Sequence, residues 1–504
     1  MENLLCQALR HTGPCLSVEL AETLVTRYGL TPEAARQRVS RGAPGINKLK
    51  NLKFQNRAVF VYFQEDYRKR IFNKKLNSAI LNSKSSYSYA LMSILARGGI
   101  VSDSTFKVSC GSPVSQKKKV SQESIKKRFL DSKVIEEINI PGVGKCFAIP
   151  DLHEKISAGN SENISRIRAR VLVEDITLNA VKNWSRNLGL VSYNKVETRS
   201  SSHAPPKFGN FNWDLTAPSY LPHLSRYNGE KLIPGFFVCD ILLGIKAGKK
   251  AVLPFIKKIE DTQAVKNMPH CMYMHMAHSY TQDAFNLLKS KGVIPATPRS
   301  LFGKDVADGL SELMNTLSSS EAKGFNEDQY NEIFEKLSFI EGVAGNLRGA
   351  LFEFIAAEII KSQDSFSQIE MNKVIVKDRK TLAECDVIAY KRNFKICFIE
   401  CKGHATNGIV DNKEIKKWLH TRIPRIREYA NSHPDWKNLD LEFKFWSTGV
   451  IDDEGRRILI KMKKEVKKYS IDFLDGDGVL KEAKSTRNEG LVKTLENHFI
   501  EAPS

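Results

Sequence analysis

Residues 346–361 constrain this chain more than any other stretch. Placed on a helix, Leu347, Ala350, Leu351, Phe352, Phe354, Ile355, Ala356, Ala357, Ile359 and Ile360 cover nearly the whole circumference. A helix that is apolar all round belongs inside a core. Two carboxylates interrupt it: at helical spacing Glu353 falls beside Ala357 and Ile360, and Glu358 beside Leu351 and Phe354, so at least one faces inward. An unpaired buried carboxylate is costly, so this helix requires a cation or a metal next to it.

The following β-rich runs suggest which. Residues 385–390 and 395–402 flank Lys391-Arg392-Asn393-Phe394 and read as an antiparallel hairpin. A turn centred on Asn393 sets Asp386 opposite Glu400. Strand side chains alternate, so Glu400 and Lys402 project together, Cys401 packs away from them, and Asp386 joins from across the ladder. Glu384 is expected on the same face as Asp386, able to assist or substitute for it. Carboxylates gathered in this way repel one another until a divalent cation is added, and hard oxygen donors at this density suit Mg²⁺ or Mn²⁺. The Lys402 ammonium fits the same chemistry, because it can orient an attacking water and stabilise charge building on a phosphate. Structural salt bridging is the competing reading.

At this point the sequence resembles a family. Asp386, thirteen intervening residues and then Glu400-Cys401-Lys402 resemble the D…ExK signature of the PD-(D/E)xK nuclease superfamily, without its proline. Upstream, Arg348-Gly349-Ala350-Leu351-Phe352-Glu353 resembles the first-helix glutamate of the restriction-endonuclease-like branch. Downstream, Phe445-Trp446-Ser447-Thr448-Gly449 and Ile471-Asp472-Phe473-Leu474-Asp475-Gly476 look like the Mrr-type ending. The resemblance spans residues 345–480. It implies a C-terminal α/β/α domain with a mixed central sheet, Asp386 and Glu400 as metal ligands, Glu353 as an auxiliary ligand or orienting group, and Lys402 as the catalytic lysine. His404, just past the motif, reads as an exposed loop histidine.

After the motif, residues 412–429 read as one helix, with Ile415, Leu419, Ile423 and Ile426 on a buried stripe. Lys413, Lys416, Lys417, Arg422, Arg425 and Arg427 lie elsewhere and face outward. In the nuclease reading this helix borders the cleft, and Lys416 is a candidate phosphate contact. Residues 461–468 add a second basic run.

The front third reads differently. From Ser17 the residues Val18, Leu20, Ala21, Leu24 and Val25 have helical spacing; Tyr28-Gly29 ends that helix and Thr31-Pro32 starts another. The second helix, 31–41, carries Arg36, Arg38 and Arg41, and β-rich runs at 49–54 and 57–63 follow around Gln55-Asn56. This order resembles a winged helix, with its recognition helix and hairpin wing. It recurs with a helix at 89–98, a helix at 121–133 exposing Lys126, Lys127 and Arg128, and a hairpin of 134–140 and 145–149 around Pro141-Gly142-Val143-Gly144. A third, weaker copy spans 164–197, its helix at 177–187 leading into Leu190-Val191-Ser192-Tyr193. DNA contacts are expected at Arg36, Arg38, Arg41, Lys126 and Lys127.

Between 198 and 214 the composition turns to Ser200-Ser201-Ser202 and Pro205-Pro206, which marks a boundary. Beyond it, 235–243 and 270–274 read as buried strands and 283–291 as a helix before Gly292-Val293-Ile294, an α/β domain of scaffold or sensor type. Asp240, His275 and His278 do not specify a metal. The expected architecture is therefore multidomain α/β: tandem winged-helix modules at 1–70 and 71–155, a third winged-helix-like module at 156–200, a middle α/β domain at 201–325 and a restriction-endonuclease-like domain at 326–504.

Charge and cysteines agree with an intracellular polyanion binder. Lys and Arg outnumber Asp and Glu by 77 to 57, an excess that suits nucleic acid. Nine cysteines without a CxxC pair fit reduced thiols in a cytoplasm. No apolar run is long enough for a membrane span, and the first residues lack the pattern of an export signal. The function expected is an Mg²⁺- or Mn²⁺-dependent endonuclease acting on double-stranded DNA, in prokaryotic restriction or anti-phage defence. The alternatives are a non-catalytic DNA-binding regulator built on the nuclease fold and an RNA-cleaving nuclease. A homodimer would supply two active sites for two strands, and an activating ligand or partner protein stays open.

Overall fold

The computed structural model describes residues 3–500, except 141, 159–160, 200–203, 319–325, 339, 341–342, 364–365, 367, 378–379, 392–393 and 406–407. The fold is mixed α/β and divides into two compact units. One holds residues 1–138, 145–154 and 189–296; the other holds 139–144, 155–188 and 297–504. Among the described residues no helix is long and apolar enough to cross a membrane.

In the first unit, helix Ser17–Tyr28 stops at Gly29, whose φ of 68° lies in the left-handed region that glycine adopts without strain. The Thr31 side chain then caps helix Pro32–Arg41 by accepting from the Ala34 N–H. Strands Ile46–Leu49 and Phe60–Phe63 follow, and Cys15–Leu16 completes a three-stranded sheet with Phe60–Phe63 at its centre. These strands are shorter than the expected runs at 49–54 and 57–63. Leu52 and Phe54 turn into the core instead of extending the ladder, and Asn56 and Arg57 take positive φ. A related layout recurs in helices Ser86–Ala96, Asp103–Ser109 and Gln122–Asp131 with strands Ile100–Ser102, Glu136–Ile140 and Gly144–Ala148, the last one central. Pro141 of the expected turn lies outside the described residues.

The expected third module is not what the chain forms. Residues Ser161–Asn187 make one helix of 27 residues, which ends before Gly189 at φ 66°. No glycine or proline interrupts 161–187, so nothing turns the chain at 177. Leu190-Val191 is not a strand, and the next strand is only Glu197–Thr198. Ser200, Ser201 and Ser202 of the expected boundary lie outside the described residues.

The first unit also holds a five-stranded sheet in the order Val293–Ala296, Cys271–Tyr280, Gly235–Ala247, Leu215–Ser219, Glu197–Thr198. The first three are parallel and the others antiparallel. Asp240 on the central strand accepts from Lys258 Nζ at 2.5 Å, and that ammonium lies 3.9 Å from the centre of the Trp213 ring. Burial pushes Asp240 up to about 6 despite the Lys258 charge. His275 is buried against the Tyr280 hydroxyl at 2.9 Å, and burial, with the Arg97 charge, lowers it to about 3, whereas His278 is exposed. These groups form a core ion pair and a neutral core histidine.

The second unit is built on helices α1 (Ser161–Asn187) and α2 (Val343–Ser362) and a mixed sheet, β1 (Gln368–Lys377), β2 (Lys380–Lys391), β3 (Lys395–Lys402), β4 (Asp440–Ser447) and β5 (Ser470–Leu474), in that order. β1 to β3 are antiparallel; β3, β4 and β5 run parallel. Helix α2 packs on β1, β2 and β3 and buries Leu347, Leu351, Phe352, Ile355, Ala356, Ile359 and Ile360. Each large apolar side chain fully buried there stabilises the fold by about 1.5–3 kcal/mol. The opposite layer packs Ile415, Trp418, Leu419, Ile423 and Ile426 against Ile396, Phe398 and Phe443.

Candidate functional site

The hairpin positions the cluster. β2 and β3 pair Val387 with Ile399 through Lys391 with Lys395, and Asp386 and Glu400 follow just beyond the last pair. Arg392 and Asn393 of its turn lie outside the described residues. One Asp386 oxygen accepts from the Cys401 N–H at 2.8 Å. Glu400 and Lys402 project together, with Lys402 Nζ 2.9 Å from Glu400 Oε1 and 3.2 Å from Glu414. Glu353 is the inward-facing carboxylate of α2, whereas Glu358 is half-buried and meets Lys361 at 3.7 Å. Glu353, Glu384, Asp386 and Glu400 are all buried.

Strict alternation fails at Asp386. Cys385 and Ile388 would lie on opposite faces of a regular strand, yet both pack into the same core layer. The neighbouring β1 pairs Met371 with Val387 and Lys373 with Cys385, and Asn372 between them takes φ 55°, a conformation asparagine tolerates better than most residues. Such irregularities re-aim side chains near functional sites. Glu384 consequently does not simply share the face of Asp386: it meets Arg168 of α1, Nη1 to Oε1 at 2.8 Å.

Two cations in the cluster were not placed there by the sequence. Arg168 also reaches Glu353 Oε1 at 3.2 Å and donates to Asn372 Oδ1. Arg422, expected on the outward stripe, turns inward and pairs with Glu400. The expected helix over 412–429 is in fact Asn412–Lys417, a π-turn at Trp418–Arg422 and Ile423–Ser432. The wider turn changes the phase of the helix and brings Arg422 to the site, as π-turns often do at functional positions. Arg168 carried one faint sequence signal, an arginine on a helix whose neighbours Ile164, Ile167, Ala169 and Val173 are buried.

Electrostatics reflect crowding. Burial, then the charges of Asp386 and Glu384, raise Glu353 to about 8 against the pull of Arg168. Burial and Asp386 raise Glu400 to about 7 against Lys402 and Arg422. Burial also raises Glu384. Burial opposes the Lys402 charge, but Glu400, Asp386 and Glu414 outweigh it and hold the ammonium protonated. Hard carboxylate oxygens with raised proton affinity fit a divalent cation, which would restore their ionised form. Among the described residues no three acid, cysteine or histidine groups now converge closely enough to hold an ion; Arg168 stands between Glu353 and Glu384.

A pH dependence follows. The folded chain keeps protons on Glu353 and Glu400 that the unfolded chain releases near an ordinary glutamate value, so this stability is complete below that value and lost as pH rises through about 7 and 8. Without divalent cation, the melting temperature is expected to fall by about 2–4 °C between pH 7 and 8.5, with most of that slope removed in Glu353→Gln. Melting curves that stay flat or rise over this range contradict the crowded-carboxylate picture.

The expected nucleic-acid contacts divide. Arg36, Arg38, Arg41 and Lys127 are exposed, and Arg36, Lys48, Asn56 and Arg57 line a groove of about 790 Å³ with Val18. Lys126 is instead held by Asp103 at 3.1 Å and Glu123 at 2.6 Å. Arg128 is bound to the Tyr87 hydroxyl. Lys416 is exposed and paired with Glu454 at 3.1 Å. His404 is half-buried, with its backbone N–H and C=O both bonded to Thr448, so the expected exposed histidine is tied to the motif instead.

Comparison with known proteins finds no matching family model and no matching curated protein. Among solved structures the chain is similar to restriction endonuclease FokI, at TM-score 0.21 and 11% identity over 94% of this chain and 82% of that one. It is also similar to FokI bound to DNA, at TM-score 0.20 and 10% identity over 95% and 84%. Likeness at this level carries no functional argument; the residues themselves must.

Proposed function

We propose that this chain is a metal-dependent nuclease that hydrolyses double-stranded DNA. In this reading winged-helix modules within 1–155 hold the duplex, and Glu353, Asp386, Glu400 and Lys402 form the catalytic centre. The observation that carries it is the burial of four carboxylates with one lysine where β2, β3 and α2 meet. Asp386 and Glu400, with Glu353 as auxiliary, would hold Mg²⁺ or Mn²⁺, which supplies Lewis-acid polarisation of a phosphoryl oxygen. The Cys401 N–H fixes one Asp386 oxygen and so orients the other. Lys402, kept protonated by Glu400, offers an ammonium to the charge that builds on the phosphate. A role in prokaryotic restriction or anti-phage defence suits such a combination of modules.

The arginines seated on the carboxylates favour one competing reading, a DNA-binding regulator that keeps this fold as a scaffold. Purified protein incubated with supercoiled plasmid separates the two. Nicking or linearisation in Mg²⁺ or Mn²⁺ that EDTA abolishes supports the nuclease; DNA retardation without cleavage under either metal supports the regulator.

The binding surface has its own test. Arg36→Ala and Arg38→Ala are each expected to reduce the slope of log affinity against log salt by about 0.9 for duplex DNA, the signature of one lost phosphate contact. Lys126→Ala should leave that slope unchanged, because Asp103 and Glu123 already hold its charge. Equal slopes for all three variants would remove this face from the interface.

A further inference from the structure

Arg168 stands at the junction of three elements. Its guanidinium spans Glu353 of α2 at 3.2 Å, Glu384 of β2 at 2.8 Å and Asn372 of β1, itself in a left-handed conformation. The side chain is only 22% exposed, and a guanidinium cannot leave by losing its proton. Lys402 and Arg422 both pair with Glu400 and reach Glu384 only through longer-range charge, whereas Arg168 is in direct contact with Glu353 and Glu384. No hydrogen bond of acceptable geometry reaches Glu384 Oε1, although Arg168 approaches close enough for an ion pair.

We propose that Arg168 is an intramolecular competitor for the metal: it occupies the cation position of the carboxylate cluster, and a divalent ion binds only as Arg168 withdraws. This inference rests on the nuclease reading above. An ion held by Asp386 and Glu400 with Glu353 as auxiliary ligand would lie about 2.0–2.6 Å from the Glu353 oxygen, depending on the metal. Arg168 Nη2, at 3.2 Å from Glu353 Oε1, takes the cation side of that ligand, and Nη1 at 2.8 Å from Glu384 holds the guanidinium there. Guanidinium and ion exclude each other, and apparent metal affinity is reduced by the fraction of molecules in which Arg168 is seated. Arg168 belongs to helix α1, so any ligand that shifts α1 would alter that fraction.

The test measures Mn²⁺ binding to the full chain by electron paramagnetic resonance and calorimetry, for wild type, R168Q and R168K, with D386N as the control. R168K keeps the charge but not the fork, and so separates occupancy from simple attraction. The expected result is at least about tenfold tighter binding in R168Q and an intermediate gain in R168K. Cleavage at subsaturating metal should rise in parallel, with little change at saturation. A folded R168Q that binds Mn²⁺ no more tightly than wild type overturns the proposal; if R168Q fails to fold, R168K decides by the same criterion. Failure of this inference alone leaves binding lost in D386N yet indifferent to position 168. Failure of the nuclease reading, which also overturns this inference, leaves wild type and every variant without bound Mn²⁺.

Discussion

Asp386→Asn is expected to lower metal-dependent DNA cleavage by about 10²–10³-fold or more, while DNA retardation stays within about twofold. The substitution conserves size and keeps an oxygen that can accept from the Cys401 N–H, so the β2–β3 pairing survives. It removes the charge that neighbours Glu353, Glu384 and Glu400 at once. Stability should therefore rise slightly in the absence of metal, because one of four crowded carboxylates is gone. Loss of activity together with a higher melting temperature separates a catalytic role from a structural one. Cleavage above a tenth of the wild-type rate would remove Asp386 from the centre.

The largest effect on folding is expected at Lys258. Lys258→Met leaves Asp240 buried without its partner, and breaking a buried pair from one side costs about 3–5 kcal/mol. Replacing both partners, as Lys258→Met with Asp240→Leu, should recover most of that loss, because a well-packed apolar pair escapes the desolvation penalty. Trp213 lies against the Lys258 ammonium, so its fluorescence during urea unfolding gives a probe within the same unit. A single variant as stable as wild type would mean that Asp240 is neutral in the fold or paired elsewhere.

How much of this was legible in the sequence depended on how local the deciding interaction is. The β2–β3 register was readable because alternation and a turn centre fix it within 17 residues, and the α2 core because its apolar residues lie on one helix. β1, the strand that completes the site through Asn372, was not identified. Arg168 could not be read, because it lies 185 residues before Glu353 and only the fold joins them. Arg422 was misplaced since a regular helical period cannot register the extra residue of a π-turn. Lys126 looked like a free basic side chain, although Glu123 three residues earlier was a visible partner; Asp103, from another element, was not. The third module failed for a plainer reason: an uninterrupted 27-residue helix was divided at 177, where no breaking residue stands.

The most direct test of the central claim is the rate of supercoiled-plasmid nicking by wild type and Lys402→Ala in Mg²⁺ and in Mn²⁺, with retardation of the same DNA measured in EDTA. Nicking by wild type, its loss in the variant and equal retardation by both are the results predicted. Equal nicking by both proteins, or none by wild type with either metal at any concentration, would contradict a catalytic centre built on Glu353, Asp386, Glu400 and Lys402.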